Sequence, residues 1–411
     1  MASLAQRTER RRVQRLMEPF LRFAQLESAG SIVLLLATVA ALLAANSPLG
    51  DAYESLLKLS AAVSHLSIHG FVNDGLMAIF FLLVGLEVKR EFLSGELQSL
   101  RRALLPVVAA LGGVVTPALL YLTLNFALNG ARPAARGWGV PIATDVAFSL
   151  AVLGAFRGIP VGLKVFLVAL AIVDDIAGVV VIAVVYTRHL RLEYLGIAAA
   201  LFAFCVLLNW RGATRLRFYV PAGIALWWAM YMSGVHPTMA GILFALAVPG
   251  GDGKDESPAS RLEQGLHPWV SFGIVPLFAL VNAGIAVLGL DRDVLLHPIF
   301  LGVLAGLLLG KPLGITLFSW IAVRLRLAEL PGGVNWRQLH AVSWLGGIGF
   351  TVSIFIAGLA FETEEQYTLA RIAVLAASAC AAAIGALALS GTRWAKTNPH
   401  SSNGSESTGI A

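Results

Sequence analysis

The chain has 411 residues, 57% of them hydrophobic and only 13% charged, with 41 glycines and 17 prolines. That is too apolar for a soluble globular protein of this length, and glycine and proline are both commoner in membrane helices than in soluble ones. The net charge of +6 does not point to nucleic acid, because the basic residues gather at the ends of apolar runs, and Cys205 and Cys380, each inside such a run, give no disulfide framework or metal site.

Residues 1–28 carry Arg7, Arg10, Arg11, Arg12, Arg15 and Arg22 ahead of a first apolar run at 29–46. A basic start and a short apolar run also describe a signal peptide, but no clear cleavage site follows and many more apolar runs do, so the run reads as an uncleaved span. Further runs at 71–88, 103–127, 138–155, 162–187, 193–210, 217–234, 237–249, 268–290, 298–323, 338–361 and 367–391 bring the expected spans to twelve. With the joints assigned alternately to the two sides, starting inside, Lys58, Arg132, Arg136, Arg188, Arg191 and Arg292 fall outside, Lys311 and Arg371 fall within spans, and the rest of the 30 lysines and arginines fall inside. This positive-inside bias predicts that both termini are cytoplasmic. The polar joint 250–267 predicts an interfacial helix, the joint 47–70 a small structured element on the other side, and the Ser- and Asn-rich stretch 392–411 a disordered cytoplasmic tail. Between the N-terminal segment 1–28 and that tail, residues 29–391 read as one transmembrane domain.

The second run, FVNDGLMAIFFLLVGLEVKREF, has Asp74 near its outer end and Glu87 and Glu91 at its inner end. Glu87 and Glu91 read either as solvated groups paired with Lys89 and Arg90 or as an ion-attracting mouth. The fourth run, WGVPIATDVAFSLAVLG, is interrupted by Pro141 and by Thr144 and Asp145. A proline removes a backbone donor, and a neighbouring hydroxyl and carboxylate can take up freed backbone groups, so a broken helix is expected there.

The fifth run, Leu163 to Val185, is almost unbroken and long enough to cross a bilayer core, yet Asp174 and Asp175 stand at its centre. Each ionisable group at that depth costs on the order of 2.5–3.5 kcal/mol, which marks the pair as an ion or proton site. Adjacent helical residues point about 100° apart, so one carboxylate should meet the cargo while the other faces a neighbouring helix or the access path. His236, in SGVHPT at an outside joint, reads as a capping residue or as a group that titrates near neutral pH. Lys311 lies deep in the tenth run, inside GKPLG, and must be paired, snorkel to an interface, or compensate negative helix ends. Gly346, Gly347 and Gly349 in the eleventh run, followed by Thr351, mark close helix packing as readily as a break.

In this order VGLEVKRE, ATDVAFSL, ALAIVDDIAG, SGVHPT, RLEQGLHPW, GKPLGI and GIGFTVSIFIA resemble the NhaA-type sodium/proton antiporter family. The resemblance runs from about Ala24 to Gly391. It implies an all-α fold of twelve transmembrane helices in which spans 4 and 11 unwind and cross near mid-membrane. The two interrupted runs are each the middle member of a three-span group, spans 3–5 and 10–12, in inverted orientation, an arrangement of which this family is itself a standard example. By motif match the resemblance implies that Asp174 and Asp175 bind the ion and exchange protons, that Thr144 and Asp145 sit at the crossing, and that Lys311 is the membrane lysine. Asp74 matches an acidic residue of the second helix. Glu87, Glu91, Glu263 and His236 match positions tied to the pH response. Gln264 departs from the pattern: a histidine is expected beside Glu263, and glutamine cannot titrate.

The expected activity is secondary antiport of cytoplasmic Na⁺ or Li⁺ against external protons in a bacterial inner membrane, with no cofactor, by a homodimer in lipid. A cation channel would lack strict coupling, and nothing in the chain resembles a filter. An intramembrane aspartyl protease, the enzymatic alternative, needs its two aspartates on different segments, whereas Asp174 and Asp175 are neighbours.

Overall fold

The computed structural model describes residues 29–59, 67–95, 98–128, 132–156, 158–187, 190–250, 257–287 and 293–392. The arginine-rich segment 1–28, the middle of the 47–70 joint and the expected tail beyond Thr392 lie outside the described residues. Among the described residues the chain is helical and contains no strand.

In chain order the helices are α1 (Ala29–Ala45), α2 (Gly50–Lys58), α3 (Ile68–Ser94), α4 (Leu100–Ala127), α5 (Val146–Gly154), α6 (Val161–Val185) and α7 (Leu192–Trp210). There follow α8 (Leu216–Ser233), α9 (Thr238–Ala247), α10 (Pro258–Asn282), α11 (Pro298–Arg324), α12 (Trp336–Leu345), α13 (Phe350–Ala360) and α14 (Glu364–Ser390). By length and composition, 8 segments among the described residues can each cross a bilayer, or up to 10 if each of two bent pairs is one span. Those pairs are α1 with α2, bent by 113°, and α12 with α13, bent by 50°. The structure therefore carries a polytopic membrane fold of eight to ten such helices, with α9 a shorter apolar helix of 10 residues.

The joint expected to form an interfacial helix behaves differently. Its charged part opens α10, capped by the Ser257 side chain, and α10 continues without interruption to Asn282. Pro268 does not end it: a π-helical turn at Val270–Ile274 follows and the helix runs on. Two further π turns, Phe71–Leu76 in α3 and Gly306–Gly310 in α11, hold Asp74 and directly precede Lys311, respectively.

Two close helix contacts set the frame around the centre. A Cβ on Gly314 of α11 would overlap the carbonyl of Gly112 on α4, and one on Gly241 of α9 would overlap the carbonyl of Ala78 on α3. Small residues let backbones touch where lipid offers no hydrophobic drive for association. The α4–α11 contact holds Lys311 against the middle of the bundle. On α6 the buried face runs through Leu163, Phe166, Leu167, Leu170 and Asp174 to Gly178 and Ile182, at helical spacing, while Val180 and Val184 are exposed apolar side chains suited to lipid.

Candidate functional site

A 3₁₀ stretch, Arg136–Ile142, contains Pro141 and stops at Ile142, and Ala143 is extended, so the backbone from Ala143 to Asp145 is not helical before α5 begins. The second interruption follows Leu345, where residues 346–349 separate α12 from α13. Gly347 is required there because a Cβ would overlap the Leu307 carbonyl of α11. The glycine run is thus both a break and a close contact.

The two interruptions satisfy one another's freed polar groups. The Asp145 N–H donates to the Ile348 carbonyl at 2.6 Å, the Thr144 hydroxyl reaches the Gly346 carbonyl at 2.8 Å, and the Ser149 hydroxyl donates to the Leu345 carbonyl at 2.8 Å. In the other direction, the Ser353 hydroxyl donates to the Val140 carbonyl at 2.8 Å. Asp145 caps α5 by accepting from the Phe148 N–H at 3.1 Å, and its other oxygen accepts from the Thr351 N–H at 3.2 Å and hydroxyl at 2.6 Å. One carboxylate therefore faces the N-termini of both α5 and α13, where helix dipoles favour negative charge.

Beside this knot, Lys311 Nζ forms an ion pair with Asp174 Oδ2 and donates to the Thr144 hydroxyl at 3.0 Å. Lys311, Thr144 and Asp174 are all 0% exposed, so the lysine is paired rather than snorkelling. Thr144 Oγ1 lies 2.7 Å from Asp174 Oδ2 as well as 2.8 Å from the Gly346 carbonyl. A hydroxyl carries one proton, so the carboxylate and the carbonyl compete for it. Asp174 Oδ1 and Asp175 Oδ1 are buried with no hydrogen-bond partner. Buried polar atoms in native structures are almost always satisfied, so these two oxygens on adjacent residues leave acceptors that a proton or a cation can satisfy.

The remaining predicted residues lie in two other places. Arg90 pairs with Glu263 and stands 3.6 Å from Glu91, a cluster at the far end of α3, whereas Glu87 makes no ion pair among the described residues. Asp74 lies about 20 Å back along α3 from Glu87, counted at the helical rise, and faces His236 Nε2 at 3.5 Å. His236 Nδ1 meets the Thr238 hydroxyl at 2.8 Å at the start of α9, and burial pushes the imidazole down to about 4. Asp74 and His236 both line a cavity of about 310 Å³.

Thr351 was visible in the sequence only as a residue after glycines, and its bond to Asp145 depends on the fold. Asn73 and Asn282, whose side-chain amides donate to each other at 3.3 and 3.0 Å, were missed, as was Tyr367, whose hydroxyl donates to Asn282 at 3.0 Å. Polar amides inside apolar runs are the one signal that could have found them.

The signature of the Na⁺/H⁺ antiporter 1 family matches residues 21–389. The chain belongs to that family. Relatives named Na(+)/H(+) antiporter NhaA occur in Yersinia pseudotuberculosis serotype O:3 and in Yersinia pestis, each 44% identical over 373 residues, covering 89% of this chain and 94% of the relative. The relative of that name in Yersinia enterocolitica is 45% identical over the same shares. The antiporter 1 family is one of transporters, so the buried aspartates belong to a carrier and not to a protease.

Proposed function

We propose that this chain exchanges Na⁺ or Li⁺ for protons across a bacterial inner membrane, with Asp174 and Asp175 as the shared site. The observation that carries the reading is the contrast between the two neighbours: Asp174 is neutralised by Lys311, while Asp175 makes no ion pair among the described residues, and each keeps one buried oxygen with no partner. Desolvation favours the neutral form of a carboxylate and a bound cation favours the charged form, so H⁺ and Na⁺ compete for the same oxygens. Thr144 and carbonyls freed at the two interruptions can add oxygen ligands for a hard ion.

In this reading twelve spans cross the membrane, the fourth and eleventh unwind and cross at the Asp145–Ile348 contact, and both termini are cytoplasmic. Glu87, Glu91 and Glu263 form the cytoplasmic mouth and Asp74 and His236 lie toward the outside, so that these groups tune the pH response. A homodimer in lipid, joined through the 47–70 connection, completes the assignment. A cation reaching Asp174 displaces the Lys311 ammonium, which gives up its proton in a dry site. Together with one proton from Asp175, each cycle then moves net charge, and an inside-negative potential supplies about 2.3 kcal/mol per charge per 100 mV. Alternating access follows from movement of the bundle that holds the crossing.

The test is the collapse of a pre-formed proton gradient in vesicles containing the purified protein, on adding Na⁺, Li⁺ or K⁺. Collapse with Na⁺ and Li⁺, lost in Asp174→Asn and Asp175→Asn, supports the assignment. Collapse that survives in both variants rejects the shared site, and exchange insensitive to an imposed potential rejects the charge-moving cycle.

A further inference from the structure

We propose that Phe355 is the plug that separates the Asp74 cavity from the aspartate pair, and that transport requires this ring to leave its slot. The proposal rests on the antiport reading. The cavity is lined by Asn73, Asp74, His236, Asn282, Phe355 and Gly358, among others. Its walls mix polar and apolar side chains, and it meets an aromatic cluster at Phe355. That ring lies 5.2 Å from the His236 ring, edge to face, 5.4 Å from Phe81 and 6.3 Å from Phe278. All three phenylalanines are buried, but Phe81 and Phe278 do not line the cavity, so Phe355 is the phenylalanine that belongs to both the cavity wall and the cluster.

The position of Phe355 along α13 gives the plug its direction. Thr351, which bonds Asp145, precedes it by one helical turn on the same face, and Leu359, which lines the cavity, follows it by one turn. The face therefore passes from the site, through the ring, to the cavity. Its neighbour Ile356 packs at 3.9 Å from the Cβ position of Gly178, one turn along α6 from the aspartates, so the same layer closes against the helix that carries the site. An ion crossing this layer would have to shed its water among rings that offer it no oxygen, and apolar constrictions block conduction by dewetting. A gap here would connect the cavity to the site at all times. Coupling demands that it open only on one side of the cycle.

The experiment measures Na⁺ flux and proton flux side by side in vesicles containing the full chain, comparing the unmodified protein with Phe355→Ala and Phe355→Leu. Phe355→Ala is expected to pass Na⁺ down its gradient without matching proton movement, lowering the proton-to-sodium ratio at least about two-fold, with Phe355→Leu between it and the unmodified protein. A merely structural role would scale both fluxes together. An unchanged ratio in whichever of the two variants folds overturns the assignment of Phe355. Absence of Na⁺-linked proton flux in the unmodified chain overturns the antiport reading and the plug with it, which separates the two failures.

Discussion

Lys311 Nζ and Asp174 Oδ2 form an ion pair in which neither side chain has any exposure to solvent. Removing one partner of a buried pair leaves an uncompensated charge and costs about 3–5 kcal/mol, whereas replacing both by apolar groups of similar volume is often neutral or better. Lys311→Met should therefore lower the unfolding temperature sharply. Combined with Asp174→Leu, most of that loss should return. Thermal unfolding of the two single variants and the double variant in detergent measures the coupling, and additive losses would show that the pair contributes nothing as a pair.

Thr351→Val keeps the size of the side chain and the backbone bond to Asp145 but deletes the 2.6 Å hydroxyl bond. Hydrogen bonds to charged groups contribute about 1.5–3 kcal/mol, and this one joins the two interruptions. The variant should lose stability within that range and slow exchange. A variant with unchanged unfolding temperature and exchange rate would mean that the contact does not hold the interruptions together.

His236 gives a pH dependence with a definite sign. Burial lowers the imidazole from 6.5 to about 4 in the folded protein. Between these values the unfolded chain binds the extra proton and the folded one does not. Stability is therefore full above pH 6.5 and falls as the pH drops toward 4, by up to about 3 kcal/mol. His236→Gln should flatten this part of the curve of unfolding temperature against pH. A slope that persists in the variant assigns the loss to other groups.

At the α4–α11 contact, Gly314→Ala places a methyl group where the Gly112 carbonyl sits. Overpacking of this kind costs about 1–3 kcal/mol, and here it pushes α11, with Lys311, away from Asp174. Both stability and Na⁺-dependent proton movement should fall. Gly265→Ala, at a position where an added Cβ meets nothing within 4 Å, is the matched control. Equal effects from the two would point to a general cost of replacing glycine.

The sequence by itself determined the membrane class, the apolar helices and the position of the central aspartates, because hydrophobic runs and the cost of charge inside them are local properties of the chain. Pro141, with Thr144 and Asp145, likewise marked the first interruption without help from the fold, whereas the Gly346–Gly349 run left a break and close packing equally open. The sequence could not choose a partner for Lys311. Three roles were open, and the choice of Asp174 depends on α11 lying against α4 and beside α6, which is fixed by backbone contact at Gly112 and Gly314. The inequality of Asp174 and Asp175 was foreseen from the 100° between them, but which of the two is paired was not.

The sequence reading starts the apolar run at 268, whereas in the structure one helix runs from Pro258 through Pro268 to Asn282 with a π turn at Val270–Ile274 on the way. Tertiary structure also decided the mutual capping of the two interruptions and the aromatic layer at Phe355. Each joins residues far apart in the chain, and no local pattern records which freed backbone group or which ring will meet another once the helices pack.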